Sequence, residues 1–315
     1  MKARIAIGCA SWADKSFIAS GWYPAECRTY VERLRYYASL FNIVEVDSSY
    51  YALPSERNVQ LWVNRTPVDF TFDVKAFRLL TGHWTEPQAL PLDIRSALPA
   101  EKRDAARLFY KDVPRELRDE VWKRFNDVLH PLSESGKLGV VLFQFPPTVV
   151  PHPRVFAHIE ECQEHMVPRD LAIEFRNRAW FAAAHAGATF DFLRSRRLSF
   201  VAVDEPQGFE SSVPPVSEVT GPFAIIRFHG RNAETWQKKG LASSAERFNH
   251  YYTADELKVW VEAIQDLLKN SEATVHAIMN TNWGDQGPVN ALLLAGLLGG
   301  SFGPGTAAEA HHSEA

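Results

Sequence analysis

The sequence predicts an α/β fold, a single (β/α)8 barrel of the TIM type, and three observations carry that reading. Eight short β-branched runs recur along the chain, and segments of helical periodicity separate most of them. The third is length, since 315 residues suit one such barrel with insertions. An open doubly wound sheet is the alternative. It would usually place a Gly-rich phosphate loop after its first strand, whereas "GCASWAD" is not G-x-G-x-x-G.

The runs, in order, are "RIAIGCA", "IVEVDSS", "DFTFDVKA", "LGVVLFQFP", "LAIEFR", "SFVAVDE", "FAIIRFHG" and "TVHAIMN". The first follows two early cations, as a secretory leader would. Asp14 and Lys15 interrupt it at once, so it reads as a buried strand. Between strands, "YVERLRYYASLF", "RVFAHIEECQEHM" and "DELKVWVEAIQDLL" repeat apolar residues every three or four positions. Thr253 and Glu256 have capping-box spacing for the seventh helix, and Pro288 suits the first turn of the eighth. Residues 206–222 are rich in Pro and Ser, so the helix there is expected to be absent or short. Two segments are expected over the C-terminal mouth: a charged helical insertion, 79–136, after the third strand, and a long loop, 231–252, after the seventh. The barrel domain spans 1–302, and residues 303–315, small and polar after Gly and Pro, are expected to form a disordered tail.

Composition narrows the function. With 46% hydrophobic and 23% charged residues the chain is globular, and a net charge of −4 gives no general attraction to nucleic acid or anionic lipid. No apolar run approaches the roughly twenty residues that span a bilayer, so no membrane partner is expected and the cytoplasm is the expected location. Cys9, Cys27 and Cys162 are odd in number and far apart, which fits a reducing compartment and neither a disulfide framework nor a zinc cluster.

The strand ends carry the chemistry. In "FAIIRFHGRN", residues 223–232, Arg227, His229 and Arg231 alternate and so share one face, with Phe228 on the other. Strands of a closed parallel barrel are apolar on both faces, so charge is tolerated mainly on the axial face near the mouth. The same change of character gives Glu45 and Asp47, Asp73 and Lys75, Gln144, Glu174 and Arg176, Asp204, and Asn280 and Asn282 on other strands. Interlocking ion pairs such as Glu174 with Arg227 or Lys75 with Asp47 are the structural alternative, but paired buried ions gain little over an apolar layer. Trp12, Tyr50, Tyr51 and Trp180 lie near the same ends, as ligand-stacking walls or, more blandly, as aromatic core.

The blocks "FNIVEVDSSYYALPS", "FDVKAFRLLTGH", "GKLGVVLFQFPP", "LAIEFRNRAWF", "VAVDEP", "IIRFHGRN" and "NALLLAGLL" resemble, in order, the signatures of the domain of unknown function 72 family, also called YecE-like. The resemblance runs from about Ile5 to Leu298. It implies a TIM barrel and no particular reaction. The motif positions it carries over are Glu45, Ser48, Lys75, Arg78, Gln144, Glu174, Arg176, Asp204, Glu205, Arg227, His229, Arg231 and Asn280. "GCASWAD" departs from the pattern in being less Gly-rich, and Gly82 separates Thr81 from His83 where the family usually runs Thr-His.

Lys75, Arg78, Arg176, Arg227 and Arg231 are many cations for one cavity, and guanidinium forks suit phosphate or carboxylate, so a small anionic molecule is the expected partner. The loop "NWGDQGPVN" adds glycines at a helix N-terminus, a second feature that attracts anions. Glu174, Asp204 and His229 are the expected acid–base groups, with His229 titrating near neutral pH, and Lys75 with Arg227 would hold developing negative charge. Arg78, Gln144, Arg176, Arg231, Asn280, Asn282, Glu45 and Asp47 complete the expected substrate-binding set.

The reading is an enzyme, a hydrolase, lyase or isomerase, without cofactor. A glycosidase with paired carboxylates fits less well, because strands four and seven end in Gln144 and His229. One alternative is a hydrolase or isomerase dependent on Mg, Mn or Zn held by Glu45, Glu174, Asp204 and His229, although no His-x-His or H-E-x-x-H motif is present. The other is a non-catalytic binder of an anionic metabolite or of nucleic acid. The basic stretch from Arg103 to Arg124 interleaves enough acids to be a solvated helix face.

Overall fold

The computed structural model describes residues 5–241 and 243–300. Eight parallel strands, β1 (Ile5–Cys9), β2 (Ile43–Val46), β3 (Thr71–Lys75), β4 (Leu138–Gln144), β5 (Leu171–Glu174), β6 (Ser199–Asp204), β7 (Phe223–Phe228) and β8 (Thr274–Met279), pair in sequence order and close as β8 pairs with β1. The helices are α1 (Lys15–Ala19), α2 (Tyr30–Leu40), α3 (Glu56–Asn64), α4 (Leu92–Ala97), α5 (Ala100–Arg103), α6 (Arg115–Glu134), α7 (Pro153–Met166), α8 (Ala186–Ser195), α9 (Ala254–Asn270) and α10 (Gln286–Leu297). The expected capping box of Thr253 and Glu256 starts α9. Residues 205–222 hold no helix.

The segment 79–136 is not all insertion. Its last part, α6, is the barrel's own helix between β3 and β4, and it buries Val121, Trp122, Phe125, Val128, Leu129 and Leu132. Only the stretch before it, with α4, α5 and short 3-10 turns, is additional. The expected tail, 303–315, lies outside the described residues. No helix of the described residues is long and apolar enough to cross a membrane.

Two cores follow from the period of two. Residues such as Phe72, Phe143, Phe200 and Phe228 face the helices and join one large cluster with Trp62, Trp122 and Trp260. Each such buried side chain contributes about 1.5–3 kcal/mol. The opposite faces fill the axis with two small clusters, one of Val140, Leu142, Ala172, Val201, Val203 and Ile225, the other of Ala6, Ala10, Ile43 and Ile278. That phase decides which polar side chains enter the mouth. Two residues beyond Ile43, Leu142, Ala172, Val203, Ile225 and Ile278 come Glu45, Gln144, Glu174, Glu205, Arg227 and Asn280.

Asp73 shares the axial face but lies a layer deeper than the mouth where the sequence put it. Its carboxylate faces His276 Nδ1 at 2.8 Å and accepts from the Val140 amide at 2.9 Å. This buried pair sits beside Gly139, where a Cβ would lie 2.2 Å from Asp73 Oδ1, so the position requires glycine.

Candidate functional site

The side of the mouth around β5 and β7 is closed on itself and reaches across to Glu45 of β2. Arg227, fully buried, donates from Nε and Nη2 to Glu45 at 2.9 and 2.5 Å and from Nη1 to Glu174 at 2.5 Å. Glu174 also accepts from Gln144 Nε2 at 2.6 Å, Arg176 Nη1 at 3.1 Å and His229 Nε2 at 3.1 Å. Asn280 Nδ2 lies 2.9 Å from His229 Nδ1, so the imidazole accepts there and donates to Glu174. Arg227, His229 and Arg176 outweigh burial and hold the Glu174 carboxyl well below the usual range. Glu205, on the same face of β6, accepts from the Val213 amide at 2.8 Å and pairs with Arg176 at 3.1 Å. Burial pushes it up to about 7. The long loop after β7 covers this half, with Trp236 over the Arg176 guanidinium at 5.1 Å and Phe248 6.0 Å from His229.

His229 does not meet the expectation of an imidazole titrating near neutral pH. Burial disfavours its charged form and pushes its pKa down to about 3, with Glu174 only partly offsetting this.

Asp204 and Arg231 are not part of the mouth. Phe200 and Ala202 belong to the helix-facing core, and Asp204 continues that face. Both of its oxygens are used: Arg231 Nε and Nη2 donate at 2.9 and 2.6 Å, the Tyr252 hydroxyl at 2.7 Å, and the Trp260 indole, from α9, at 2.6 Å. Arg231 leaves the face of Arg227 and His229 because Gly230, two residues past the end of β7, turns the chain at φ +81, where a Cβ would also come 2.8 Å from His250.

The side around β1 and β2, with the loop that follows β8, is open. A cleft of about 880 Å³ is lined by Trp12, Asp14, Glu45, Asp47, Tyr51, Asn282 and Trp283, among others. Lys75 pairs with Asp47 at 3.1 Å and lies 4.7 Å from the centre of the Tyr50 ring. Lys75 and Arg227 outweigh burial and hold Asp47 below its ordinary range. Asp14 forms no ion pair among the described residues, and burial, reinforced by the Asp47 charge, pushes it up to about 6. Burial likewise raises Glu45, to about 8, while Arg227 pulls the other way. Trp12 Nε1 and Asn282 Oδ1 are buried without a hydrogen-bond partner, as is Asn280 Oδ1 deeper in the mouth.

A third feature lies between the halves. His83 is pushed down to about 3 by burial and then by the charges of Lys75, Arg78 and Arg176, and its ring meets Tyr50 at 5.2 Å, the same ring that Lys75 and Arg78 approach at 4.7 and 5.4 Å. Its Nδ1 is 2.8 Å from Thr81 Oγ1. Arg78 meets Glu86 only at 3.8 Å, and both Arg78 and Arg176 keep a buried, unpartnered Nε.

The structure thus brings together Glu45, Asp47, Lys75, Gln144, Glu174, Arg176, Arg227, His229, Asn280 and Asn282, with Arg78 beside them. The glycines after β8 serve packing and turning. Gly284 has φ +59, and a Cβ on Gly287 would come 3.2 Å from the Thr281 carbonyl. No group of three or more His, Cys, Asp or Glu among the described residues is arranged to hold a metal ion. Trp180 is core, fully buried and stacked on Phe175 at 3.9 Å. Sequence reasoning missed Asp14. Its one signal is that it closely follows a strand end, where barrel loops build sites.

The sequence profile of the family described as "Protein of unknown function DUF72" matches residues 6–312. The UPF0759 protein YunF of Bacillus subtilis (strain 168) is 31% identical over 297 residues, 93% of this chain and 94% of that one. A crystal structure of a DUF72 family protein from Enterococcus faecalis V583 superposes with TM-score 0.75 at 26% identity, covering 96% of this chain and all of that one. One from Thermotoga maritima MSB8 gives TM-score 0.72 at 26% identity, covering 94% and 99%. The chain therefore belongs to the DUF72 family of barrel proteins of unknown function.

Proposed function

We propose that the chain is an enzyme, a hydrolase, lyase or isomerase, that works by proton transfer on a small anionic molecule in the mouth of the barrel. The observation that carries this reading is the pair Asp14 and Asp47, which line one cleft in different surroundings, Asp47 in an ion pair with Lys75 and Asp14 in no ion pair among the described residues, although Lys15 lines the same cleft. Two carboxyls driven apart in this way supply an acid and a base at the same pH. Asp14 is the proton donor, and Asp47 is the carboxylate that accepts a proton or stabilises positive charge. Lys75, Arg78 and Arg176, whose charges all act on His83, attract the anionic group of the substrate.

Glu174 and His229 have no free role in proton transfer here. With its oxygens engaged by four side chains, Glu174 is an electrostatic post that fixes Arg227 and Arg176, and His229 is a neutral strut between Glu174 and Asn280.

The test is thermal stability against inorganic phosphate and a panel of phosphorylated and carboxylated metabolites, followed by turnover of whatever binds. Native-state binding raises the melting temperature by mass action, and Arg78→Ala should remove most of the rise. Asp14→Asn should keep the rise and lose turnover. Binding without turnover in the unmodified protein would leave a binder, not an enzyme. Loss of turnover on chelation, restored by Mg or Mn, would replace the metal-free reading.

A further inference from the structure

We propose that the molecule bound in the cleft carries a polyhydroxylated ring, a sugar, joined to its anionic group; this rests on the mouth being the anion site argued above. The cleft is far larger than a lone phosphate or carboxylate needs, about 880 Å³, and falls in the range of small-molecule sites. Its walls include Tyr51 and Trp283, which are 57% and 38% exposed. Large aromatic faces left open beside a polar floor suit a ring with an apolar face to stack on them.

The floor selects the kind of ring. Trp12, 2% exposed, and Asn282 line it, and just beneath its surface they keep an unpartnered donor, Nε1, and an unpartnered acceptor, Oδ1, which a ligand would reach by a small shift of the side chains. The Asp14 and Asp47 carboxyls lie in the same cleft. A hydroxyl both donates and accepts, so adjacent hydroxyls on a ring meet a floor of mixed donors and acceptors. A flat aromatic ring without hydroxyls would leave these groups unsatisfied, at a cost in affinity. The carboxyls also oppose an anion directly above them. The charged end of the ligand therefore lies towards Lys75, Arg78 and Arg176, with its ring over Asp14 and Asp47.

The experiment titrates the full chain, by tryptophan fluorescence and thermal shift, with inorganic phosphate, phenyl phosphate, glucose, and a panel of hexose phosphates, pentose phosphates and uronates. At least one sugar phosphate or uronate should bind about tenfold or more tighter than inorganic phosphate and than phenyl phosphate. Tyr51→Ala and Trp283→Ala, both at exposed positions, should abolish that preference and leave phosphate binding unchanged. Equal binding of phosphate and every sugar phosphate, a preference for phenyl phosphate, or a preference that survives both variants would overturn the sugar inference alone. If glucose binds and no anionic probe does, the ring inference stands and the anion reading fails. If nothing on the panel binds, both fail.

Discussion

The two halves of the mouth are built from the same residue types and use them in opposite ways. Around β5 and β7, Glu174 and Arg227 satisfy each other, and a loop carrying Trp236 and Phe248 covers them. Around β1 and β2, Asp14 has no counterion, Trp12 and Asn282 keep unpartnered atoms, and aromatic faces stand open. A buried charge with every hydrogen bond made is a structural part, however catalytic its residue type looks. An acid without a counterion beside an open cleft is what marks a site.

The comparison breaks most visibly at Arg227. Arg227→Met strands Glu45 and Glu174 in the barrel without their guanidinium. Removing one partner of a buried pair typically costs about 3–5 kcal/mol, so the variant should be strongly destabilised in urea unfolding at pH 7.5. A loss below about 1 kcal/mol would mean that this half is not the clamp described. The open half should respond in the other currency. Asp14→Asn removes an unpaired acid, so stability should hold or rise while turnover of the substrate falls about a hundredfold to ten-thousandfold. In the unmodified enzyme kcat/KM should decline as pH rises through about 6, where Asp14 loses its proton. An alkaline limb unchanged in Asp14→Asn would assign that titration elsewhere.

The barrel was legible because its strands are short β-branched runs at regular intervals, and the mouth because Glu45 and Asp47 or Arg227 and His229 share a face by the period of two. Depth and phase were not. In "SFVAVDEP" the strand is apolar on both faces, so nothing local says which of the adjacent acids enters the axis. Only the packing of Val201 and Val203 against the axial core selects Glu205 over Asp204. Arg231 keeps the sequence spacing of Arg227 and His229 but loses their face at Gly230, since a glycine in a strand pattern does not announce its φ. Asp14 comes from a loop, where no period applies, and its raised pKa is a product of burial that only the fold creates.

Asp204 sharpens the comparison from outside the barrel. It is as fully bonded as Glu174, but to Tyr252, Trp260 and Arg231, so it fastens β6 and the loop after β7 to α9. Asp204→Asn turns one acceptor edge into a donor facing donors. The expected loss is about 2 kcal/mol, the scale of hydrogen bonds to a charged group. Turnover, measured below the melting temperature, should stay within about threefold of the unmodified protein. A collapse of turnover at normal stability would return Asp204 to the acid–base machinery.

His229 gives the smallest effect and the one with a definite sign. Its pKa in the fold is about 3, against 6.5 for the ordinary group, so between these values the unfolded chain binds a proton that the folded chain refuses. Stability supplied by this residue is therefore complete above about pH 6.5 and is lost as pH falls. At pH 5 the loss is about 2 kcal/mol, from 1.5 pH units at about 1.4 kcal/mol each. The raised carboxyls Asp14, Glu205 and Glu45 act the other way, because the folded chain holds their protons more tightly, so the whole protein's profile mixes the two signs. The difference between the protein and His229→Asn removes most of that mixing. The variant should be less stable at pH 7.5, since it disturbs Glu174 and Asn280, and its deficit should shrink by about 2 kcal/mol at pH 5, where it has no imidazole left to titrate. A deficit that stays constant, or grows in acid, would mean that His229 takes up its proton inside the barrel, and the closed half would then contain a proton carrier after all.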